Sequence, residues 1–219
     1  MGRMFISPTS PAPQANPTLP VVETFHSLQG EGMHSGRSAF FLRLAGCDVG
    51  CPWCDTKHSW PEENHPRRAV GELARQALEA THQGAAFVVV TGGEPLQHDL
   101  GPLCSALQDV APLHLETSGV HTLSGRFDWI TLSPKRHAPP RPKLLARCQE
   151  LKVVVAEEAD LAFAEAMAAA ASEGNQQGPH LLLQPAWNNT RGLALAIAHV
   201  QRHPAWRLSL QSHKWLGLR

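Results

Sequence analysis

Read only for apolar and polar positions, the chain alternates short runs rich in β-branched or aromatic residues with longer stretches whose apolar residues recur at spacings of three and four. The first kind suits a buried strand and the second an amphipathic helix. Strands are predicted over residues 38–44, 86–91, 113–117, 129–132, 150–155 and 180–184. Helices are predicted over 70–81, 100–110, 157–172 and 193–201. Strand and helix in regular succession is the pattern of crossovers around a parallel sheet. Six strands and four helices are too few for a full eightfold barrel. The predicted fold is therefore α/β, a shortened, partial TIM-like (β/α) barrel.

The first 20 residues break the pattern. They hold five prolines among scattered serine, threonine and asparagine, a composition that buries too little apolar surface to order itself. Residues 1–20 are predicted to form a flexible Pro-rich leader, and residues 21–219 a single catalytic domain. A length of 219 residues suits one such unit with a substantial core.

Composition narrows the function. Nineteen Lys and Arg balance nineteen Asp and Glu, so no strongly positive field exists to collect nucleic-acid phosphates. A small-molecule substrate fits better. No stretch approaches the roughly 20 apolar residues of a membrane span, and no secretory signal opens the chain. The predicted address is cytoplasmic, with neither nucleic acid nor membrane as partner.

Five cysteines occur, three of them within eight residues, too cramped for the disulfide framework of a secreted domain. Cys47, Cys51 and Cys54 stand in a C-x3-C-x2-C loop, with Gly46, Gly50 and Pro52 letting the backbone wrap tightly around a metal centre. Three thiolates on a four-iron cubane leave one iron free for a small molecule. A structural zinc site completed by His58 is the competing reading of the same loop. Cys104 and Cys148 stand alone in apolar surroundings and are predicted to be core residues. Other polar or glycine-rich segments follow the predicted strands in turn: 92–95, 118–119, 133–135 and 185. Barrel enzymes place their chemistry at that rim.

The cysteine loop, with the aromatic Trp53 just before its last cysteine, and the segment Thr91-Gly92-Gly93-Glu94-Pro95 resemble the radical S-adenosylmethionine (SAM) superfamily. That resemblance implies a [4Fe–4S] cluster on Cys47, Cys51 and Cys54 whose open iron chelates SAM. One electron then cleaves the sulfonium bond to give a 5'-deoxyadenosyl radical. Trp53 would approach the adenine, and Glu94 with the glycine carbonyls would receive the amino group.

A narrower resemblance runs from about Val21 to Arg219. The segment 24–32 (TFHSLQGEG), Cys54-Asp55-Thr56-Lys57, Glu116-Thr117-Ser118-Gly119, Ser133-Pro134-Lys135, Gln184-Pro185 and the tail 206–216 are similar, in order, to motifs of the 7-carboxy-7-deazaguanine synthase (QueE) family. The implied reaction is ring contraction of 6-carboxy-5,6,7,8-tetrahydropterin to 7-carboxy-7-deazaguanine with loss of ammonia, in queuosine and 7-deazapurine biosynthesis. The implied cofactors are the cluster, SAM and Mg²⁺. An electron-donor protein such as a flavodoxin or ferredoxin and a homodimeric state come with them.

Carried over by position, the resemblance assigns Leu28, Gln29, Gly30, Arg43 and Thr91 to the pterin. It also assigns the carboxylate of Arg219 to the pterin and Thr56 to Mg²⁺. To SAM it assigns Trp53, Asp55, Gly93, Glu116, Ser133, Lys135 and Gln184, besides Glu94. His26, His58 and His213 are expected to pack or hydrogen-bond rather than act as bases. The sequence departs from the family in the leader and in the tail 215–219 (WLGLR), where the family has tyrosine, asparagine and isoleucine. Two rivals remain at this stage: a radical SAM activase forming a glycyl radical on a partner, and a non-catalytic zinc-binding module.

Overall fold

The computed structural model of the chain describes residues 17–174 and 178–219. Its strands are β1 (Thr18–Leu28), β2 (Ser38–Leu44), β3 (Arg67–Ala69), β4 (Val88–Gly92), β5 (Leu113–Thr117), β6 (Trp129–Leu132), β7 (Glu150–Val155), β8 (His180–Pro185) and β9 (Trp206–Leu208). The helices are α1 (Val70–His82), α2 (Gly101–Leu107), α3 (Pro142–Leu145), α4 (Glu158–Gly174), α5 (Thr190–Arg202) and α6 (Ser212–Leu216). The strands form one sheet in the order β3-β1-β2-β4-β5-β6-β7-β8-β9. From β2 to β9 all neighbours are parallel, whereas β1 runs antiparallel to both β2 and β3. The sheet does not close, and the expected partial (β/α) barrel is the result.

All six predicted strands form, four with the predicted bounds; β4 starts later and extends to Gly92, and β8 ends at Pro185. Helix α2 stops at Leu107, short of the predicted 110, and α5 starts earlier, at Thr190. The start of α5 is set by Asn189, whose side chain accepts from the Gly192 N–H at 2.7 Å as an N-cap. Residues 1–16 of the expected leader lie outside the described residues. Thr18, Leu19 and Pro20 do not belong to a leader; they pair with Ala69, Arg68 and Arg67, and Leu19 is buried.

Along each parallel strand successive side chains face opposite sides. One set, including Leu42, Val88, Val90, Leu115, Leu132, Leu151 and Val153, is buried with residues of α1, α2, α4 and α5 in the main core. Cys104 and Cys148 lie in that core, and burial pushes the Cys148 thiol up to about 12. The alternate set faces the concave side. Phe41, Phe87 and Val89 form a small apolar floor with Phe25. Nearer the carboxyl ends of the strands the inward positions turn polar: Arg43, Thr91, Glu116, Thr131, Lys152 and Gln184, all of which line one cavity of about 370 Å³. Among the described residues, no helix is long and apolar enough to cross a membrane.

Candidate active site

The cysteine loop leaves β2 and is pinned on both sides. The Gly46 N–H donates to Ser59 O at 2.8 Å and the Cys47 N–H to Trp60 O at 3.3 Å. On its outer side His121 Nε2 pairs with Asp48 Oδ1 at 2.9 Å, and His137 Nε2 lies 3.0 Å from the Val49 carbonyl. All three thiols line the cavity. Burial raises the Cys47 and Cys51 thiols above the usual cysteine value, so holding three thiolates here calls for a cationic centre. A single tetrahedral zinc with bonds of 2.3 Å would draw its sulfurs to about 3.8 Å from one another. Among the described residues only Glu165, His199 and His203 bring three ligand atoms within 4.8 Å of one another, so the three thiols are not all that close together. A multi-iron cluster fits that spread. His58, the fourth ligand of the zinc alternative, does not line the cavity.

Gly92 and Gly93 fasten this loop to β4. A Cβ on Gly92, whose φ is +147°, would lie 2.2 Å from Leu44 O, and one on Gly93 would lie 2.2 Å from Gly46 O. Only glycine permits this approach. The Gly93 N–H then reaches Leu44 O at 3.0 Å and the Glu94 N–H reaches Gly46 O at 2.8 Å.

Glu94 lines the same cavity. Its carboxylate is 1% exposed. It accepts from Leu96 N at 3.1 Å, Thr117 Oγ1 at 2.6 Å, Ser118 N at 2.8 Å and Ser118 Oγ at 2.5 Å. Through those bonds Glu94 ties the β4 loop to the β5 loop.

Glu116, at the centre of the cavity, joins two of the predicted groups. Gln29 Nε2 donates to its Oε1 at 2.9 Å and Thr91 Oγ1 to its Oε2 at 2.9 Å. Beside it, register aligns Glu23 with Arg43 and Arg43 with Thr91. Arg43 Nε is 3.0 Å from Glu23 Oε1, and the Arg219 guanidinium is 3.7 Å from Glu23 Oε2. Arg219 also accepts at its main-chain oxygen from Ser27 Oγ at 3.1 Å. On the opposite wall Lys135 Nζ donates to Ser133 Oγ at 2.8 Å, and burial lowers the Lys135 ammonium against the pull of the nearby Cys51 and carboxylates. Ser209 Oγ donates to Gln184 Oε1 at 2.9 Å.

The structure brings Leu28, Gly30, Trp53, Asp55 and Thr56 to the same cavity. Thr56 Oγ1 is 3.5 Å from Cys54 Sγ, and the Trp53 ring meets His137 edge-on at 5.6 Å. His26 bonds Ser38 Oγ at 2.8 Å away from the cavity.

Several cavity residues escaped the sequence. Glu31 and Lys152 form a buried ion pair, and Gln211 adds a bond to Glu31 at 2.8 Å. Burial alone would raise the Glu31 carboxyl; the Lys152 ammonium, with bonds from Gln211 and Gln184, holds it instead at about 2. Lys214 pairs with Asp55 and lies 4.8 Å above the Trp187 ring, which meets Trp215 at 5.9 Å. Through these contacts α6 caps the mouth. Its Ser212 N–H and hydroxyl both donate to Gly30 O at 2.9 Å, and a Cβ on Gly30 would collide with His213. His213 thus packs, as expected, but on the cavity wall. The signal available was the LQGEG glutamate and Lys152, a lysine inside the predicted strand 150–155.

Comparison with known proteins identifies the family. The model of the radical SAM superfamily matches residues 42–138. The chain is 52% identical over 220 residues to a 7-carboxy-7-deazaguanine synthase of Prochlorococcus marinus, spanning 91% of this chain and 98% of that protein. It is 50% identical over 203 residues to the synthase of a Synechocystis species, spanning 92% and 94%. The solved structure of QueE from Escherichia coli superimposes with a TM-score of 0.78 at 31% identity, covering 90% of this chain and 95% of that one.

Proposed function

This chain belongs to the 7-carboxy-7-deazaguanine synthase family of radical SAM enzymes, and from that premise we propose that it contracts the ring of 6-carboxy-5,6,7,8-tetrahydropterin to 7-carboxy-7-deazaguanine with loss of ammonia. The observation that carries the reading is the Glu116 carboxylate, held by Gln29 and Thr91 in a cavity that the three cysteines also line. When bound, the cluster and SAM supply the one-electron chemistry that starts the reaction.

The chain's own residues bind and orient. Leu28, Gln29 and Gly30 offer backbone and amide groups to the pterin edge. Arg43 exchanges Glu23 for the pterin carboxylate, a bidentate task suited to a guanidinium. Thr91 contacts the same ligand, and Arg219 closes that side. Around SAM stand Trp53 at the adenine, with Asp55, Gly93, Glu116, Ser133, Lys135 and Gln184. Glu94, which also fixes the glycine loop, receives the SAM amino group together with the glycine carbonyls. Thr56 offers a hard oxygen to Mg²⁺. The α6 cap, tied down by Lys214 and Ser212, excludes water from the cavity. A flavodoxin- or ferredoxin-like donor, a homodimer and a cytoplasmic setting complete the proposal.

The test is anaerobic turnover of the reconstituted protein with SAM, a chemical reductant, Mg²⁺ and the carboxy-tetrahydropterin. The expected result is 7-carboxy-7-deazaguanine and ammonia in equal amounts, with Thr56→Ala altering the Mg²⁺ requirement. SAM cleavage without that product would reject the substrate and retain the superfamily.

A further inference from the structure

Away from the cavity, the outer helical layer holds a second group of ligand-type side chains. Glu165 lies in α4, and His199 lies in the last turn of α5. His203 caps α5 at its C-terminus. One ligand atom from each falls within 4.8 Å of the other two. His199 and His203 are four residues apart, so they share one face of the helix end. Their rings lie 4.1 Å apart, while His199 Nε2 is 2.8 Å from Glu165 Oε1. His199 is buried, whereas Glu165 and His203 are exposed.

We propose that Glu165, His199 and His203 form a zinc-type divalent cation site that staples α4 to the C-terminal end of α5. Two imidazole nitrogens and a carboxylate oxygen are the donor set that zinc takes, with a fourth position left for water. Bonds of 2.0–2.1 Å put tetrahedral ligand atoms about 3.3 Å apart, a closing that small rotations of the two exposed side chains supply. The carboxylate already has outer support, since Trp206 Nε1 donates to Glu165 Oε1 at 3.0 Å. Hydrogen-bonded carboxylates of this kind orient metal ligands. The carbonyl end of α5 adds a negative pole that favours a cation. The site joins α4 to the chain where α5 hands over to β9, and none of its residues lines the catalytic cavity.

Crystals of the cluster-loaded protein soaked anaerobically in zinc chloride test the proposal by anomalous diffraction at the zinc edge. The expected peak is bounded by Glu165, His199 and His203. In solution, zinc at a hundredfold excess over its Kd should raise the Tm of the cluster-loaded protein by roughly 5–10 °C. His203→Ala and Glu165→Gln, both at exposed positions, should abolish that rise and the peak while leaving cluster content and synthase turnover unchanged. An equal zinc-dependent rise in His203→Ala, or anomalous density confined to the cysteine loop, would overturn it.

Discussion

On β5, Leu115 points out into the helices while its neighbour Glu116 points into the cavity, and the same step separates Leu42 from Arg43 on β2 and Val153 from Lys152 on β7. The two faces of one sheet thus divide stability from chemistry residue by residue. The outer face is apolar, largely aliphatic with Phe40 and Trp206 among it, and its packing with the helices needs nothing from the cavity. The inner face has an apolar floor beside which His114 and Glu150 are buried, and it carries unlike charges near the rim, held in place by bonds among themselves. The comparison teaches that the parallel strands tolerate an ionic interior because burial of the outer set already holds them together.

Four perturbations sharpen or break that division. Cys51→Ala should remove the cluster and all turnover, yet change the unfolding free energy of the apoprotein by only about 1 kcal/mol; iron and sulfide analysis beside chemical denaturation measures both. Leu115→Ala on the outer face should cost about 2–5 kcal/mol through the cavity it leaves, with cluster content and turnover per folded molecule unchanged. A loss of turnover larger than the folded fraction explains would break the comparison. Arg43→Ala should weaken pterin binding by the about 1.5–3 kcal/mol typical of a hydrogen bond to a charged group, roughly 10–100-fold, while SAM cleavage continues.

The smallest effect near neutral pH is electrostatic. A carboxyl held at about 2 instead of 4.5 contributes stability that is complete above the unfolded value and fades as pH falls through the folded one. Denaturation midpoints should therefore drop between about pH 4.5 and about 2, and Glu31→Gln should flatten that drop. An unchanged acid branch in Glu31→Gln would mean that the Glu31–Lys152 pair adds nothing to the fold.

The outer face was the legible one. Runs such as residues 113–117 and 150–155 are buried on both faces of a parallel sheet and so read as strands directly. β1 was missed because its first residues share a proline-rich composition with the leader and its half-buried antiparallel pattern is diluted by polar positions. β3 and β9 have three residues each, and α3 and α6 only four and five, too short to show a period. On the inner face, chemistry-bearing loops could be placed because cysteine and glycine spacing is local. What spacing could not carry was pairing across the barrel. Lys152 meets Glu31 across 121 positions and Lys214 meets Asp55 across 159. Glu94 could be found by motif, but its bonds to Thr117 and Ser118 appear only once β4 and β5 lie side by side.

The central claim is that the Cys47, Cys51 and Cys54 rim holds a four-iron cluster with one iron open to SAM. Electron paramagnetic resonance of the anaerobically reconstituted and reduced protein, recorded with and without SAM, tests it most directly. The account predicts a reduced [4Fe–4S] signal whose shape shifts when SAM is added. Protein carrying zinc and no iron, or a cluster signal indifferent to SAM, would contradict it.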